Sequence, residues 1–404
     1  MKQSTAVIFF DKKTPPHIFT LIILSGLGAL SMSIFLSSIL EMSIFFNKSY
    51  ALMQLSISLY LVTTAFFQII AGPLSDRYGR RLITLFSVIL FILASIGCYL
   101  STNFEFFIFF RILQASVAAG FLMSRVIIRD ITSESDAASM IGYVTMGMSI
   151  IPLIAPGIGG LIHMYLGWSS IFLIMAFLGI ILLFITFHDL GETKIVKIKK
   201  NKKNFNLYIE LFKKPKFWGY SLTVAFSAGT FFSFLGGAPY VATKVYNLNS
   251  VISGLVMGFP AAGYFFGNYL SGKYSKNFGI DYMVLRGIWF VIFGMFSCLI
   301  ITVLYKDTPY FFFGLCFFVG LGNGLIIPNA SAGILSVNEN LSGTAGGLGN
   351  AIMISTGAIL AALASYLLEN QNSSFYLVSL MLFSGSLSYI SHYVLVLKNK
   401  TENP

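Results

Sequence analysis

Two related stretches of sequence decide the expected fold. The first, GPLSDRYGRR at residues 72–81, follows a long apolar run, and the second, GKYSKNFG at residues 272–279, follows another apolar run 200 positions later. Glycine, serine, an aromatic residue and glycine stand in register in the two stretches. This match at equivalent points of the chain indicates an internal repeat, in which two halves of similar structure face one another across a central cavity.

The composition requires a membrane environment. The 404 residues are 56% hydrophobic and only 10% charged, whereas about a quarter of the residues of an ordinary soluble domain are charged. A membrane-spanning helix needs about 20 mainly apolar residues, because its backbone groups must be satisfied within the segment. The sequence predicts twelve such spans, at residues 18–40, 51–73, 82–100, 104–125, 138–164, 168–187, 217–242, 251–272, 282–304, 309–330, 343–368 and 375–397.

The twelve predicted spans fall into two groups of six. We expect an N-terminal six-helix bundle over residues 1–188, a basic cytoplasmic linker over residues 189–216 and a C-terminal six-helix bundle over residues 217–404. Of the 26 lysines and arginines, only three lysines fall between spans on the predicted outer side. By the positive-inside rule, this asymmetry predicts that both termini lie in the cytoplasm. The basic residues are dispersed between spans, which argues against nucleic acid as a partner.

The stretch at residues 72–81 has the residues of a conformational latch. Glycine lets two helices approach closely, and aspartate can cap or face the N-terminus of a helix. Arginines hold such a turn on the cytoplasmic side. We therefore predict a latch that is whole in one conformation and broken in another, and its residues are Gly72, Asp76, Arg77, Gly79, Arg80 and Arg81.

Arg111 is the charged residue that the predicted spans place well inside the bilayer. An arginine there is costly unless it faces a polar cavity or a partner, or its side chain extends to the outer interface. Gln114 lies three positions later on the same helical face. These two residues begin a set of candidate substrate or coupling residues, which also contains Ser33, Tyr60, Asn323 and Asn350, with Glu41 and Glu105 near the outer face.

The fifth predicted span combines prolines with glycines. Proline breaks the hydrogen-bond ladder of a helix, and glycine supplies a smooth surface for close packing. This pattern predicts a kinked packing helix. Its marked positions are Gly142, Pro152, Pro156, Gly159 and Gly160.

Together these motifs resemble the major facilitator superfamily. Residues 72–81 resemble its signature loop between the second and third helices, and RILQA at residues 111–115 resembles the fourth-helix Arg-x-x-Gln motif of drug:proton antiporters of the DHA1 type. The fifth span resembles their antiporter motif, although Ala155 replaces its first glycine. Shorter stretches at residues 125–130, 190–193, 322–330 and 342–345 look like the bicyclomycin and chloramphenicol resistance (Bcr/CflA) branch.

The resemblance implies an all-α integral membrane protein, with twelve transmembrane helices in two pseudo-symmetric six-helix bundles. Such a protein moves a small organic solute across the bacterial inner membrane by alternating access. Multidrug or metabolite efflux is the expected activity, with protons as the candidate coupling ion. No cofactor or metal is expected, since the three cysteines lack metal-ligand spacing. We expect a monomer, because one chain contains both halves.

One departure from the family pattern leaves the coupling open. Members of this branch commonly carry an aspartate in the first helix, where this chain has SIFLSSIL at residues 33–40. Arginine cannot replace it as a proton carrier, because arginine stays protonated. Three alternatives follow: Glu41 or Glu105 reaches the cavity from its rim, the substrate itself carries the proton, or transport is uncoupled.

Other functions compete with efflux. A cavity that holds Arg111 without an internal counter-charge would favour anionic or zwitterionic solutes. Import or export of an anionic metabolite, such as a carboxylate siderophore, is therefore an alternative, as is an uncoupled facilitator. A membrane-embedded enzyme would need paired acids, a histidine cluster or a metal site, and the four histidines are scattered along the chain. A transporter-derived sensor would be expected to carry an added soluble domain or a long tail.

Overall fold

The computed structural model of the protein describes residues 7–48, 50–194, 209–248, 252, 256–304, 308–371 and 373–398. No β-strand occurs in these ranges, and residues 195–208 of the predicted basic linker lie outside them. In chain order, the α-helices are α1 Ile18–Ser33, α2 Ile39–Phe45, α3 Tyr50–Tyr78, α4 Arg80–Leu100, α5 Phe104–Gln114, α6 Ala118–Ile131, α7 Glu134–Ser149, α8 Ile151–Leu166, α9 Ser170–Asp189, α10 Pro215–Tyr240, α11 Phe259–Phe278, α12 Ile280–Leu304, α13 Pro309–Ser336, α14 Ser342–Gln371 and α15 Ser374–His392.

Nine helical segments of the described chain are long and apolar enough to cross a membrane. Each of the twelve predicted spans overlies at least one described helix, so the all-α class is confirmed. Three predicted spans lie outside this group of nine. The span at residues 18–40 overlies α1 and α2, the span at 51–73 overlies α3, and the span at 251–272 overlies α11. The nine segments are Arg80–Leu100, Phe104–Ile131, Glu134–Leu166, Ser170–Asp189, Pro215–Tyr240, Ile280–Leu304, Pro309–Ser336, Glu339–Leu368 and Ser374–Lys398.

The first predicted span is not one continuous helix, which corrects the expectation for residues 18–40. Helix α1 ends at Ser33, a 3₁₀ turn follows at Leu36–Ser38, and α2 begins directly after it. The Ser33 hydroxyl donates a hydrogen bond to the Ala29 carbonyl at 2.8 Å, a contact that bends helices. A Cβ on Gly159 would overlap the Ile34 carbonyl oxygen. Helix α8 therefore packs directly against the backbone at this break.

The fourth and fifth predicted spans are also interrupted. A 3₁₀ turn at Ala115–Val117 separates α5 from α6 and comes directly after Gln114. Helix α7 ends at Ser149, and α8 begins with Pro152 in its first turn. Proline has no backbone N–H to donate and clashes with the preceding turn, so the interruption falls where the sequence predicts a kink.

The chain forms two compact units. The first contains Met1–Ile131, Gly147–Leu207 and Asn340–Leu348, and the second contains Thr132–Met146, Tyr208–Glu339 and Gly349–Pro404. The first unit thus includes the beginning of α14, and the second includes the beginning of α7. The domain boundaries placed at residues 188 and 217 stay predictions.

An aromatic cluster in the first unit fixes the position of α5. The Phe107 ring lies 5.4 Å from that of Phe172 and 6.2 Å from that of Trp168, measured between centroids. All three residues belong to the buried core of this unit. Residues four apart share a helical face, so the anchored Phe107 directs Arg111, one turn later, into the same interior.

We expect Gly159→Val to destabilise the protein by about 1–3 kcal/mol, because the added side chain must displace the backbone at Ile34. Gly157→Val is the matched control on the same helix, since a Cβ there meets no atom within 4 Å. The melting temperature of the detergent-purified protein measures the difference. Equal melting temperatures for the two variants would contradict the close packing of α8 at Gly159.

Candidate functional site

The latch stretch of the first unit lies against the beginning of α14. A Cβ on Gly72 would overlap the Gly343 carbonyl oxygen, so the backbones of α3 and α14 are in direct contact at this point. Any larger residue at either glycine would separate the two helices. The glycine predicted from the sequence as a close-packing residue thereby brings Asp76, one turn later on α3, to the N-terminus of α14.

Asp76 caps the N-terminus of α14. One carboxylate oxygen accepts a hydrogen bond from the Gly343 N–H at 3.1 Å, and the other accepts from the Thr344 N–H and the Thr344 hydroxyl, both at 2.7 Å. The first N–H groups of a helix have no partner inside it and carry its positive dipole end. A carboxylate at this position accepts hydrogen bonds from these N–H groups and places a negative charge at the positive end of the dipole.

Arg80 holds the latch together from inside the protein. Its side chain is fully buried, and it donates hydrogen bonds to Ser75 at 2.7 Å, Asp76 at 2.8 Å, Asp130 at 2.9 Å and Ser342 at 2.8 Å. A buried charge is tolerated when counter-charges and hydrogen bonds satisfy it. Arg80 meets this condition through residues from three separate parts of the sequence.

Lys194 adds a second cation, from the chain that follows α9. Its ammonium group donates to an Asp76 carboxylate oxygen and to the Asn340 carbonyl, both at 2.8 Å. Burial would raise the pKa of Asp76, but Arg80, Lys194 and the Thr344 hydroxyl hold this pKa below its ordinary value. Asp76 is therefore a carboxylate at neutral pH, as the helix cap requires.

Glu192 closes the turn between α3 and α4. Its carboxylate accepts hydrogen bonds from the backbone N–H of Arg80 at 2.9 Å and of Arg81 at 3.2 Å, at the N-terminus of α4. The carboxylate lies where a Cβ of Gly79 would stand, and Gly79 has a φ of 97°. Glycine is required here both by the left-handed backbone conformation and by the close approach of Glu192.

The side chains of two predicted latch residues lie outside this network. Arg77 is exposed, and its guanidinium lies 5.2 Å from the ring centroid of Tyr78. Arg81 instead joins α4 to the end of α9, donating to the carbonyl of Phe187 at 2.8 Å and to that of Leu190.

The sequence motifs do not predict Asp130, Lys194 and Ser342 as latch residues. A signal was available, because Asp130 and Ser342 belong to two of the short family-like stretches and Lys194 directly follows a third. The structure brings all three stretches to Asp76 and Arg80.

Arg111 lies inside the first unit and does not extend to the surface. Its side chain is 1% exposed. The guanidinium carbon lies 4.3 Å from the Phe35 ring centroid and 4.6 Å from that of Tyr60, distances at which an aromatic face attracts a cation. The guanidinium also donates to the Ser31 carbonyl at 3.3 Å and to the side-chain oxygen of Gln114.

Gln114 joins Arg111 to α4. Its amide nitrogen donates to the Ser95 hydroxyl at 2.7 Å, and its amide oxygen accepts from Arg111. No salt bridge to Arg111 occurs among the described residues, and the guanidinium Nε has no hydrogen-bond partner there. Gln114 and Tyr60 thus both contact the Arg111 guanidinium, and their role as substrate or coupling residues stays a prediction.

The two candidate proton carriers lie on exposed faces. Glu105 pairs with Lys48 at 3.4 Å, and 71% of its side chain is exposed. Glu41 is also exposed. Ser33 is buried but donates its hydroxyl proton within its own helix, to Ala29. Neither glutamate is enclosed in the way that Arg111 is.

Two candidates belong to the second unit. Asn323 is buried there, accepts a hydrogen bond from Ser227 at 2.6 Å and donates to Thr230 at 3.3 Å. These bonds join α13 to α10. Asn350 is also buried in this unit.

The glycines and prolines of the fifth span divide between two helices. On α7, a Cβ of Gly142 would lie 2.7 Å from the backbone nitrogen of Gly272, which is the repeat counterpart of Gly72. Pro156 and Gly160 are half-buried within α8. Glycines of both repeats therefore occupy positions where backbones meet.

Known proteins resemble this chain over most of its length. The family described as the Major Facilitator Superfamily matches residues 21–362. The bicyclomycin resistance protein homolog of Haemophilus influenzae is 27% identical, over 88% of this chain and 90% of the relative. The chloramphenicol resistance protein of Pseudomonas aeruginosa is 26% identical, over 83% of this chain and 81% of the relative. The resemblance drawn from the motifs is thereby confirmed.

A solved structure has the same fold. The proton:xylose symporter XylE of this superfamily aligns with a TM-score of 0.70, covering 93% of this chain and 94% of its own. Only 13% of the aligned residues are identical. The likeness therefore concerns the arrangement of the helices and confirms the expected fold.

We expect Arg80→Gln to lower the free energy of unfolding by about 3–5 kcal/mol, because it leaves Asp76 and Asp130 buried without their shared cation. Arg77→Gln is the control from the same stretch and should change stability by less than about 0.5 kcal/mol, since Arg77 is exposed. Thermal unfolding of the two purified variants measures the effect. Similar losses in both would show that the Arg80 network does not stabilise the protein.

Proposed function

The chain belongs to the major facilitator superfamily of membrane transporters, and we propose that it exports drug-like compounds or metabolites across the bacterial inner membrane. The observation that carries this proposal is the capping of α14 by Asp76, with Arg80 and Lys194 as its cations. The protein is a multi-pass secondary transporter, and the superfamily consists of transporters and not of enzymes. The export direction and the class of solute are the proposed part.

The latch supports alternating access because it is suited to two discrete states. Its hydrogen bonds are charge-assisted and largely buried, so partial loss would leave an unpaired charge in a poorly hydrated place. Such a network is stable when complete and is released as a whole. Coupled elements with two arrangements are what an alternating transporter needs.

The names of the relatives support export. Resistance to bicyclomycin and to chloramphenicol is stated in the names of two proteins that match over 80% or more of this chain. Removal of a drug from the cell is a direct route to such resistance. The proline and glycine pattern of the fifth span, which resembles the antiporter motif, favours the same direction.

Transport of an anionic or zwitterionic solute is the second candidate. Arg111 is enclosed by aromatic faces, a carbonyl and an amide, with no salt bridge among the described residues. A solute carboxylate that reached this group would supply the missing counter-charge. Since both candidate glutamates are exposed, an uncoupled facilitator belongs to this second candidate as well.

The arrangement in the membrane completes the proposal. The distribution of lysine and arginine supports cytoplasmic N- and C-termini. Each chain contains both repeats, which supports a monomer as the transporting unit. Its proposed partners are one small-molecule solute and, as the coupling ion, protons.

Transport by the purified protein in liposomes with an imposed pH gradient tests the proposal. We expect a cationic drug such as ethidium to cross faster with the gradient than without it, and a polycarboxylate such as citrate to be transported poorly. Drug flux that is independent of the gradient would indicate a facilitator. Preference for citrate that is lost in Arg111→Ala would favour the anionic alternative and contradict drug export.

We expect Asp76→Asn to reduce the maximal transport rate at least about tenfold, which corresponds to an activation free energy higher by about 1.4 kcal/mol. The reason is that the amide cannot hold Arg80, Lys194 and the helix N-terminus together. Asp11→Asn is the control, because the Asp11 carboxylate accepts a hydrogen bond from Lys13 of its own turn near the N-terminus. Equal rates for Asp76→Asn and the unmodified protein would contradict a role of the latch in transport.

A further inference from the structure

Three polar side chains meet in the second unit, where α10 and α12 begin and α15 ends. The Tyr220 hydroxyl donates a hydrogen bond to an Asp281 carboxylate oxygen at 2.6 Å. The His392 Nε2 lies 3.8 Å from the same oxygen. The Tyr220 and His392 rings are 5.8 Å apart between centroids, and both residues are fully buried. One carboxylate therefore faces a phenol from α10 and an imidazole from α15.

His392 is the fully buried histidine of this protein. His17, His163 and His188 are partly or largely exposed. Histidine is the side chain whose ordinary titration lies near physiological pH, and a neighbouring carboxylate favours its protonated form. A histidine enclosed beside a carboxylate can take up a proton and form an ion pair with it.

Asp281 connects this buried histidine to water. About 16% of its side chain is exposed, and it lines an open pocket with Glu134, Ser135 and neighbouring residues of the turn at 278–282. This pocket lies on the predicted cytoplasmic side. A proton from the solvent can thus reach the carboxylate without crossing the apolar interior.

Other charged groups of the described chain, on the elements around the site, are partly or largely exposed. On α10, the Lys216 ammonium lies 5.8 Å from the Tyr220 ring centroid and 3.8 Å from a carboxylate oxygen of Glu134 on α7. Both side chains of this pair are more than a third exposed. Lys398, in the helical segment that follows α15, is exposed as well. Asp281 lies at ion-pair distance from His392.

The first unit has a differently charged arrangement at the repeat positions. Thr20 and Arg81 stand 200 positions before Tyr220 and Asp281. Thr20 donates to Asp189 at 2.6 Å, and Arg81 donates to carbonyls at the end of α9. In the second unit, the corresponding place holds an acid on α12 and a histidine on α15.

We propose that His392, Asp281 and Tyr220 form a proton-binding site on the predicted cytoplasmic side of the second unit. A proton from the solvent converts the His392 imidazole to imidazolium, which forms an ion pair with the Asp281 carboxylate. This ion pair joins α15 to α12, so the attachment of these helix ends depends on pH. The site goes beyond the proposed export and requires no particular solute.

Histidine titration in the intact protein tests the site. The chain has four histidines, so labelling their ring Cε1 with ¹³C gives four NMR signals from the full protein in nanodiscs. The signal lost in His392→Gln belongs to His392. We expect this signal to titrate between about pH 5 and pH 8, the range around the ordinary value of histidine.

Two substitutions separate an ion-pair site from a packing contact. Asp281→Asn removes the counter-charge, so half-protonation of His392 should occur at least about one pH unit lower. Tyr220→Phe removes a donor that satisfies the carboxylate, so half-protonation should occur at higher pH. Asp136→Asn is the matched control, because this acid of the same unit pairs with exposed Lys276 instead, and it should leave the His392 titration unchanged.

Two results would overturn the proposal. One is a His392 signal that does not titrate between pH 5 and pH 8. The other is a pH of half-protonation of His392 that Asp281→Asn does not change, or that Asp136→Asn changes by the same amount. Size-exclusion profiles show whether each variant is folded, and His392→Gln provides the assignment in the otherwise unmodified protein. Because no transport is measured, the outcome is separate from that of the export proposal.

Discussion

The Asp76 carboxylate at the N-terminus of α14 is the contact around which the described first unit is organised. It accepts hydrogen bonds from two backbone amides and a hydroxyl, and it faces the Arg80 and Lys194 cations. Without this carboxylate the two buried N–H groups would lose their acceptor, and burial removes the water that would replace it. Three distant parts of the sequence, at residues 76–80, 194 and 343–344, therefore meet at one carboxylate. The contact between Gly72 and Gly343 makes that meeting sterically possible.

Arg111 is also a buried charge that needs partners, but its partners are of a different kind. There a buried cation is satisfied by the faces of Phe35 and Tyr60 and by neutral oxygens of Ser31 and Gln114. Aromatic faces and amides stabilise a cation without taking up a proton. The latch and the Arg111 site thus differ in kind: ion pairs hold the first, whereas the second retains a positive charge without a salt bridge among the described residues.

The sequence predicts the local structure well because helices in lipid are local structures. Every backbone group must find its partner within a few residues, so apolar runs of sufficient length are enough to indicate the spans. Prolines mark a break in the same local way, as Pro152 does at the start of α8. The sequence does not predict the break after Ser33, because this break accompanies the packing of Gly159, from a different helix, against Ile34.

The sequence predicts the charged residues of the candidate site but not the residues that contact them. Asp76, Arg80 and Arg111 could be selected because a charge next to or within an apolar run needs an explanation. Their partners could not, since Thr344 lies 268 positions from Asp76 and Ser31 lies 80 positions from Arg111. By itself, the sequence determined the helices, the repeat and the family, which depend on neighbouring residues and on composition. Only the tertiary structure decided which buried charge meets which partner, because that depends on distances between helices that no local pattern encodes.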